Sequence, residues 1–112
     1  MNENNTIRAV YDHRKREVLV AKTSRILGVE KDEKLPYRRI LDLIKSGKRI
    51  SIENKGLDRC IEAVLINREE GFERIIVSKS YPDATLEREN LIRERFENYL
   101  NKGYRINLRS KK

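Results

Sequence analysis

The sequence predicts one small α/β domain in the order strand, helix, strand, helix, strand, helix, strand. Three observations carry this. The 112 residues suffice for one core and are too few for two. Short β-rich runs ("EVLVAK", "KRISIE", "ERIIVSKS", "YRINLRS") alternate with runs whose apolar residues recur every three or four positions. No long linker, repeat or low-complexity stretch divides the chain.

Residues 1–5 are polar and are expected to be disordered, leaving 6–112 as the domain. "TIRAVY" and "EVLVAK" have strand composition around the exposed turn "DHRKR", so they form a hairpin, or the first is an added edge strand. "TSRILGVEKDEK" is expected as a loop or a short extended piece. From Leu35 a helix follows. Pro36 suits a first turn, Tyr37, Ile40, Leu41 and Ile44 share a face, and Gly47 suits the stop. Ile50 and Ile52 then alternate with Arg49, Ser51 and Glu53, as in a half-buried strand. Leu57, Cys60, Ile61, Val64 and Leu65 fall at helical spacing ahead of Gly71 and predict a second helix. Ile75, Ile76 and Val77 mark a third strand, and "YPD" a turn. Ile92, Phe96, Tyr99 and Leu100 predict a third helix over 85–102, capped by Asp83 or Thr85, before the closing "YRINLRS" strand.

Lys and Arg number 26 against 18 acidic residues, a formal charge of +8. Such a surplus favours a polyanionic partner without selecting a fold. It is uneven, because residues 48–71 are charge-balanced and the flanking segments carry all of it. The last eleven residues, "KGYRINLRSKK", contain five basic groups and no acid, which suits either a solubilising end or a contact to phosphate. A lone Cys60 excludes an internal disulfide and fits a reducing compartment. No run approaches the ~18 apolar residues of a membrane span, and the N-terminus lacks a signal-peptide core. A cytoplasmic protein that does not contact membrane is expected.

Chemistry is sparsely represented. His13, the only histidine, lies in a charged turn, where a solvated role is expected over a triad member. Cys60 falls on the apolar stripe of the second predicted helix, as a buried inert thiol would. One histidine and one cysteine cannot build a zinc site, and no cofactor or metal is expected. One enzymatic pattern remains. Glu53-x-Lys55 at a strand end, with Asp42 upstream, is similar to the core of the PD-(D/E)xK nucleases, in which two acids hold Mg²⁺ near the scissile phosphate. Asp42, however, falls inside the first predicted helix.

The joint "ENKGLD" has two readings. Asn54, Lys55 and Gly56 form an ordinary tight turn, or free N–H groups at a helix start join Lys55 in seating an anion.

Four stretches together resemble the Alba family of small basic nucleic-acid-binding proteins. "KLPYRRILDLIKSG" looks like that family's Lys-x-Pro start to its first helix, and "KRISIENKG" is similar to its second strand with a basic glycine joint. "LDRCIEAVLINREEGF" looks like its second helix, and "RINLRSKK" matches its closing basic strand. The resemblance implies an Alba-like two-layer sandwich, here with an extra helix before the last strand, acting as a homodimer on DNA or RNA. By that resemblance Lys34 answers the helix-start lysine and Lys55 the joint, while Lys22 and Arg25 replace Lys34 in an alternative register. Lys48, Arg49, Arg105, Arg109, Lys111 and Lys112 join them on charge alone. A second local likeness, of "VLVAKTSRILGVEKDEKL" to the swapped-hairpin AbrB-type half, also points to nucleic acid.

The sequence therefore predicts a non-enzymatic protein that binds the DNA or RNA phosphate backbone. The alternatives are the Mg²⁺-dependent nuclease using Asp42, Glu53 and Lys55, and a protein–protein adaptor docking through the helix over 85–102.

Overall fold

A computed structural model describes residues 5–54, 60–67, 73–81, 88–90 and 92–111. Its elements are β1 (Thr6–Asp12), β2 (Glu17–Val20), α1 (Tyr37–Lys45), β3 (Arg49–Glu53), β4 (Cys60–Asn67), β5 (Glu73–Tyr81), β6 (Arg88–Asn90), α2 (Arg93–Asn101) and β7 (Arg105–Lys111). The strands form one mixed sheet in the order β2-β1-β3-β7-β4-β5-β6. The result is a small compact α/β domain with two helices among the described residues.

The predicted hairpin is present. β1 and β2 pair antiparallel around a turn in which Asp12 Oδ1 accepts from the Arg14 and Lys15 N–H groups, at 2.9 and 3.3 Å. Residues 21–36 then wrap the edge of the sheet, burying Leu27, Val29 and Leu35. The Val20 N–H bonds Glu33 O at 2.9 Å and the Leu35 N–H bonds Val18 O at 2.8 Å, so the outer edge of β2 is partnered rather than bare.

α1 starts from an extended Pro36, as expected of a residue without an N–H, and buries Ile40, Leu43 and Ile44. It stops at Gly47, whose φ of 91° lies where a side chain would be strained. The Gly47 N–H bonds Ile44 O and the Lys48 N–H bonds Leu43 O, the paired bonds of a Schellman stop. α2 ends in the same way. Gly103 has φ 85°, its N–H bonds Leu100 O, and the Tyr104 N–H bonds Tyr99 O.

Two predicted helices need correction, and with them the alternating strand–helix order. Residues 60–67 form the strand β4, so the helix expected after the "NKG" joint, and matched to the second Alba helix, is absent over those residues. Ile61, Val64 and Leu65 do fit helical spacing. Yet Ile61, Ala63 and Leu65 alternate with half-buried Cys60, Glu62 and Val64, and β4 lies between β7 and β5 with both backbone edges bonded. Long-range pairing decided between two periods that the local sequence supports equally. The third predicted helix is shorter than 85–102. It spans Arg93–Asn101, and the strand β6 precedes it. Tyr81 of the "YPD" turn ends β5, while Pro82, the proposed caps Asp83 and Thr85, and the joint residues Lys55 and Gly56 lie outside the described residues.

The sheet also contains a repeat that inspection of the sequence does not reveal. Thr6, Ile7, Arg8, Ala9 and Val10 of β1 run parallel to Arg49, Ile50, Ser51, Ile52 and Glu53 of β3. Cys60, Ile61, Glu62, Ala63 and Val64 of β4 run parallel to Arg105, Ile106, Asn107, Leu108 and Arg109 of β7 in the same register. Residues 37–54 overlay 93–110 without a gap, which matches Ile40 with Phe96, Leu43 with Tyr99, Ile44 with Leu100 and Gly47 with Gly103. The outer strands follow suit: Lys34 bridges Leu19 as Asn90 of β6 pairs with Ile76 of β5. The described residues of 5–54 and 60–111 thus follow one plan, two strands, a bridge at Lys34 or the short strand β6, a helix and a strand.

The copies meet where β3 and β7 pair antiparallel, Ile50 opposite Leu108, Ser51 opposite Asn107 and Ile52 opposite Ile106. Exchanging the copies maps the first and third pairs onto each other and the middle pair onto itself. An approximate two-fold axis normal to the sheet therefore runs through Ser51 and Asn107, whose Oγ and Oδ1 are 2.9 Å apart. Such an axis keeps both helices on one side of the sheet. There Ile7, Ala9, Ile50, Ile52, Ile61, Ala63, Ile106 and Leu108 join the buried faces of α1 and α2 in one core.

Candidate nucleic-acid interface

The alternation that sends those residues inward sends their neighbours to the other face of the sheet. Among the described residues no helix lies on that face. Thr6, Arg8 and Val10 come from β1, Arg49, Ser51 and Glu53 from β3, Glu62 from β4, and Arg105, Asn107 and Arg109 from β7. Together with Lys22 they line a shallow concavity of about 770 Å³. Arg8, Lys22, Arg49, Glu53, Arg105 and Arg109 are exposed, whereas Ser51, Glu62 and Asn107 at its floor are half-buried.

Five cations thus face two carboxylates in this concavity. The Arg109 Nε to Glu62 Oε1 distance is 3.0 Å, with both side chains near half exposure, so the pair orients Arg109 more than it stabilises the fold. Polar floor groups are linked across the approximate axis. The Ser51 hydroxyl donates to Asn107 Oδ1, and Asn107 Nδ2 donates to Cys60 Sγ at 3.2 Å. Cys60 is accordingly half-buried on the open side of a strand, not on the apolar stripe of a helix.

The structure brings together Lys22, Arg49, Arg105 and Arg109 of the sequence-predicted cations. Others lie elsewhere. Lys34 pairs with Glu17 at 3.3 Å and borders a separate groove on the helix side, beside Tyr37 and Phe96. Lys48 is half-buried and donates to Ser46 Oγ at the end of α1. Arg25 is exposed in the loop after β2, where its carbonyl accepts from the Gly28 N–H. Lys111 ends β7, and Lys55 and Lys112 lie outside the described residues. Sequence reasoning missed Arg8, Ser51 and Asn107. The strand "TIRAVY" was legible, and its alternation around buried Ile7 and Ala9 would have sent Arg8 outward.

The helix-side groove, about 260 Å³, is of a different kind, floored by Tyr11, Leu35, Tyr37, Phe96 and Leu100. Burial pushes the Tyr11 and Tyr37 hydroxyls above their ordinary value, at Tyr11 with partial opposition from Arg16, and the Tyr11 hydroxyl meets Asn101 Oδ1. These rings are anchored in the core.

The nuclease carboxylates are not brought together. Asp42 is exposed on α1, on the helix side, while Glu53 faces the opposite side of the sheet. Among the described residues no three His, Cys, Asp or Glu side chains are grouped to hold a metal ion. The adaptor helix is correspondingly reduced to α2, which buries Phe96, Tyr99 and Leu100 and shows solvent a charged face. Among the described residues no helix is long and apolar enough to cross a membrane.

Comparison with protein-family models, curated proteins and solved structures found no match to this chain.

Proposed function

We propose that the protein is a non-enzymatic nucleic-acid-binding protein of the cytoplasm that holds the phosphate backbone of DNA or RNA on the open face of its sheet. The observation that supports this best is the gathering of Arg8, Lys22, Arg49, Arg105 and Arg109 around one shallow concavity against Glu53 and Glu62 alone. Guanidinium groups suit this task, because their fixed fork of donors matches two phosphate oxygens at once. A shallow concavity on a sheet face admits a polymer, whereas a small ligand would need closer walls.

Affinity measured by fluorescence anisotropy against increasing salt tests the proposal. Log affinity should fall linearly with log salt, by about 0.9 for each phosphate neutralised. Arg8→Ala should reduce that slope, and Lys34→Ala, on the far side, should leave it unchanged. A flat salt dependence would sink the proposal.

A further inference from the structure

We infer that the basic face takes a double-stranded nucleic acid, seated so that the approximate two-fold axis of the chain lies along a local two-fold axis of the duplex. This rests on the phosphate-binding reading of the same face and adds the class of nucleic acid and its orientation.

The first support is the symmetry of one pair of cations beside the axis. Arg49 and Arg105 occupy equivalent positions, each two residues before the axial pair Ser51 and Asn107 on antiparallel strands. A strand rise of about 3.4 Å and a strand spacing of about 4.8 Å place their Cα atoms about 14 Å apart. With the reach of two arginine side chains, that separation suits backbones on either side of a groove about 6 to 12 Å wide. The two backbones of a duplex run antiparallel and are exchanged by two-fold axes normal to its length. A single strand has direction and no such axis, so it would meet Arg49 and Arg105 in unlike ways.

The second support is independent of the first. The side chains described on the open face of β1, β3, β4 and β7 are aliphatic, polar or charged, and none is aromatic. Unpaired bases are commonly held by stacking on aromatic rings. A duplex, with its bases already stacked, needs no such platform. The two-fold relation also lies within one chain, so one protein molecule suffices for each seat.

The test uses the full chain with a short duplex DNA, the duplex RNA of the same sequence and the separate strands, at about 0.1 M salt. At least one duplex should bind roughly tenfold tighter than either strand, with one protein molecule per seat. Arg49→Ala and Arg105→Ala should weaken duplex binding to a similar degree, each lowering the salt slope by about 0.9. Arg49→Lys and Arg105→Lys, which keep the charge, should retain most of the affinity, and circular dichroism should show all four variants folded. Tighter binding of either duplex form supports the inference, and the DNA and RNA arms show which form is preferred. Single strands binding as tightly as both duplexes, or a large loss at one arginine with none at the other, would overturn it and leave phosphate binding standing. Retention of no nucleic acid at low salt would overturn both.

Discussion

Residues 5–54 and 60–111 fold to the same plan from sequences that share few identities. Between the strands β1 and β4 the shared residues are Ile7 with Ile61, Ala9 with Ala63 and Val10 with Val64. Between 37–54 and 93–110 they are Arg39 with Arg95, Gly47 with Gly103, Arg49 with Arg105 and Ile50 with Ile106. Four of these pairs, those of Ile7, Ala9, Ile50 and Gly47, are apolar positions of the core or the glycine at the end of a helix, where packing or φ leaves little choice. Elsewhere the copies diverge. Ile40 and Leu43 of α1 become the aromatics Phe96 and Tyr99 of α2, and the open face exchanges Arg8 for Glu62 and Glu53 for Arg109. An acid and a base have changed places between the copies, while Arg49 and Arg105 have stayed. The fold tolerates either sign at the outer positions of this face, so among its side chains the retained arginine pair beside the axis is the one least explained by folding alone.

The equivalence of the two cores can be broken most forcefully at Ile50 and Ile106, which are 1% and 0% exposed. Each substitution to Ala should cost about 2 to 5 kcal/mol, measured by denaturant unfolding, and the two values should be alike. A large loss at one and almost none at the other would show that the copies do not share one core. The helix stops give a smaller and cleaner comparison. A Cβ at Gly47 would meet no heavy atom within 4 Å, so the penalty for Gly47→Ala comes from its φ of 91° alone. That penalty should be about 1 to 2 kcal/mol. Gly103, at φ 85° but buried, should lose at least as much, and a smaller loss there would separate the two stops.

How far the sequence could be read follows from the same comparison. The β1–β2 hairpin, α1 from Pro36 to Gly47, β3, β5 and β7 were legible because each carries its own period and its own punctuation. β4 was not. "CIEAVLI" is apolar enough to serve either period, and the strands that claim it, β5 and β7, come later in the chain. The repeat was hidden for a related reason. Its two copies are joined by residue type at buried positions, by register and by helix stops, and hardly by identity. Four of the five cations of the basic face, Lys22, Arg49, Arg105 and Arg109, were visible as charge. The rest needed the sheet, because Arg8, Ser51 and Asn107 stand on three strands whose adjacency no local pattern reveals.

The divergence on the open face can be sharpened into a gain. Glu53 holds the position that Arg109 holds in the second copy, and continuing the register of β3 and β7 sets it opposite Arg105. Glu53→Arg would remove the acid that partly offsets Arg105 and would make the two copies alike at that position. Binding should tighten several-fold at low salt, with the salt slope steeper by about 0.9 if the new group finds a phosphate. Unchanged affinity would mean that the ligand does not reach the outer part of β3.

The smallest effect should come from the axis itself. Ser51 and Asn107 are the one pair that an exchange of copies leaves in place, and the hydroxyl-to-amide bond between them spans the junction of β3 with β7. Both side chains are half-buried, so water can replace the bond once it is lost. Ser51→Ala should therefore cost only about 0.5 to 1.5 kcal/mol in unfolding free energy. Asn107 would keep its second link, the donation to Cys60 Sγ, so the strand pairing itself should persist. Asn107→Ser sets serine against serine on the axis and removes that second link as well, and it should cost more than Ser51→Ala. If the order were reversed, the hydroxyl of Ser51 would have a role at the junction beyond its bond to Asn107, and the axial pair would not act as a unit.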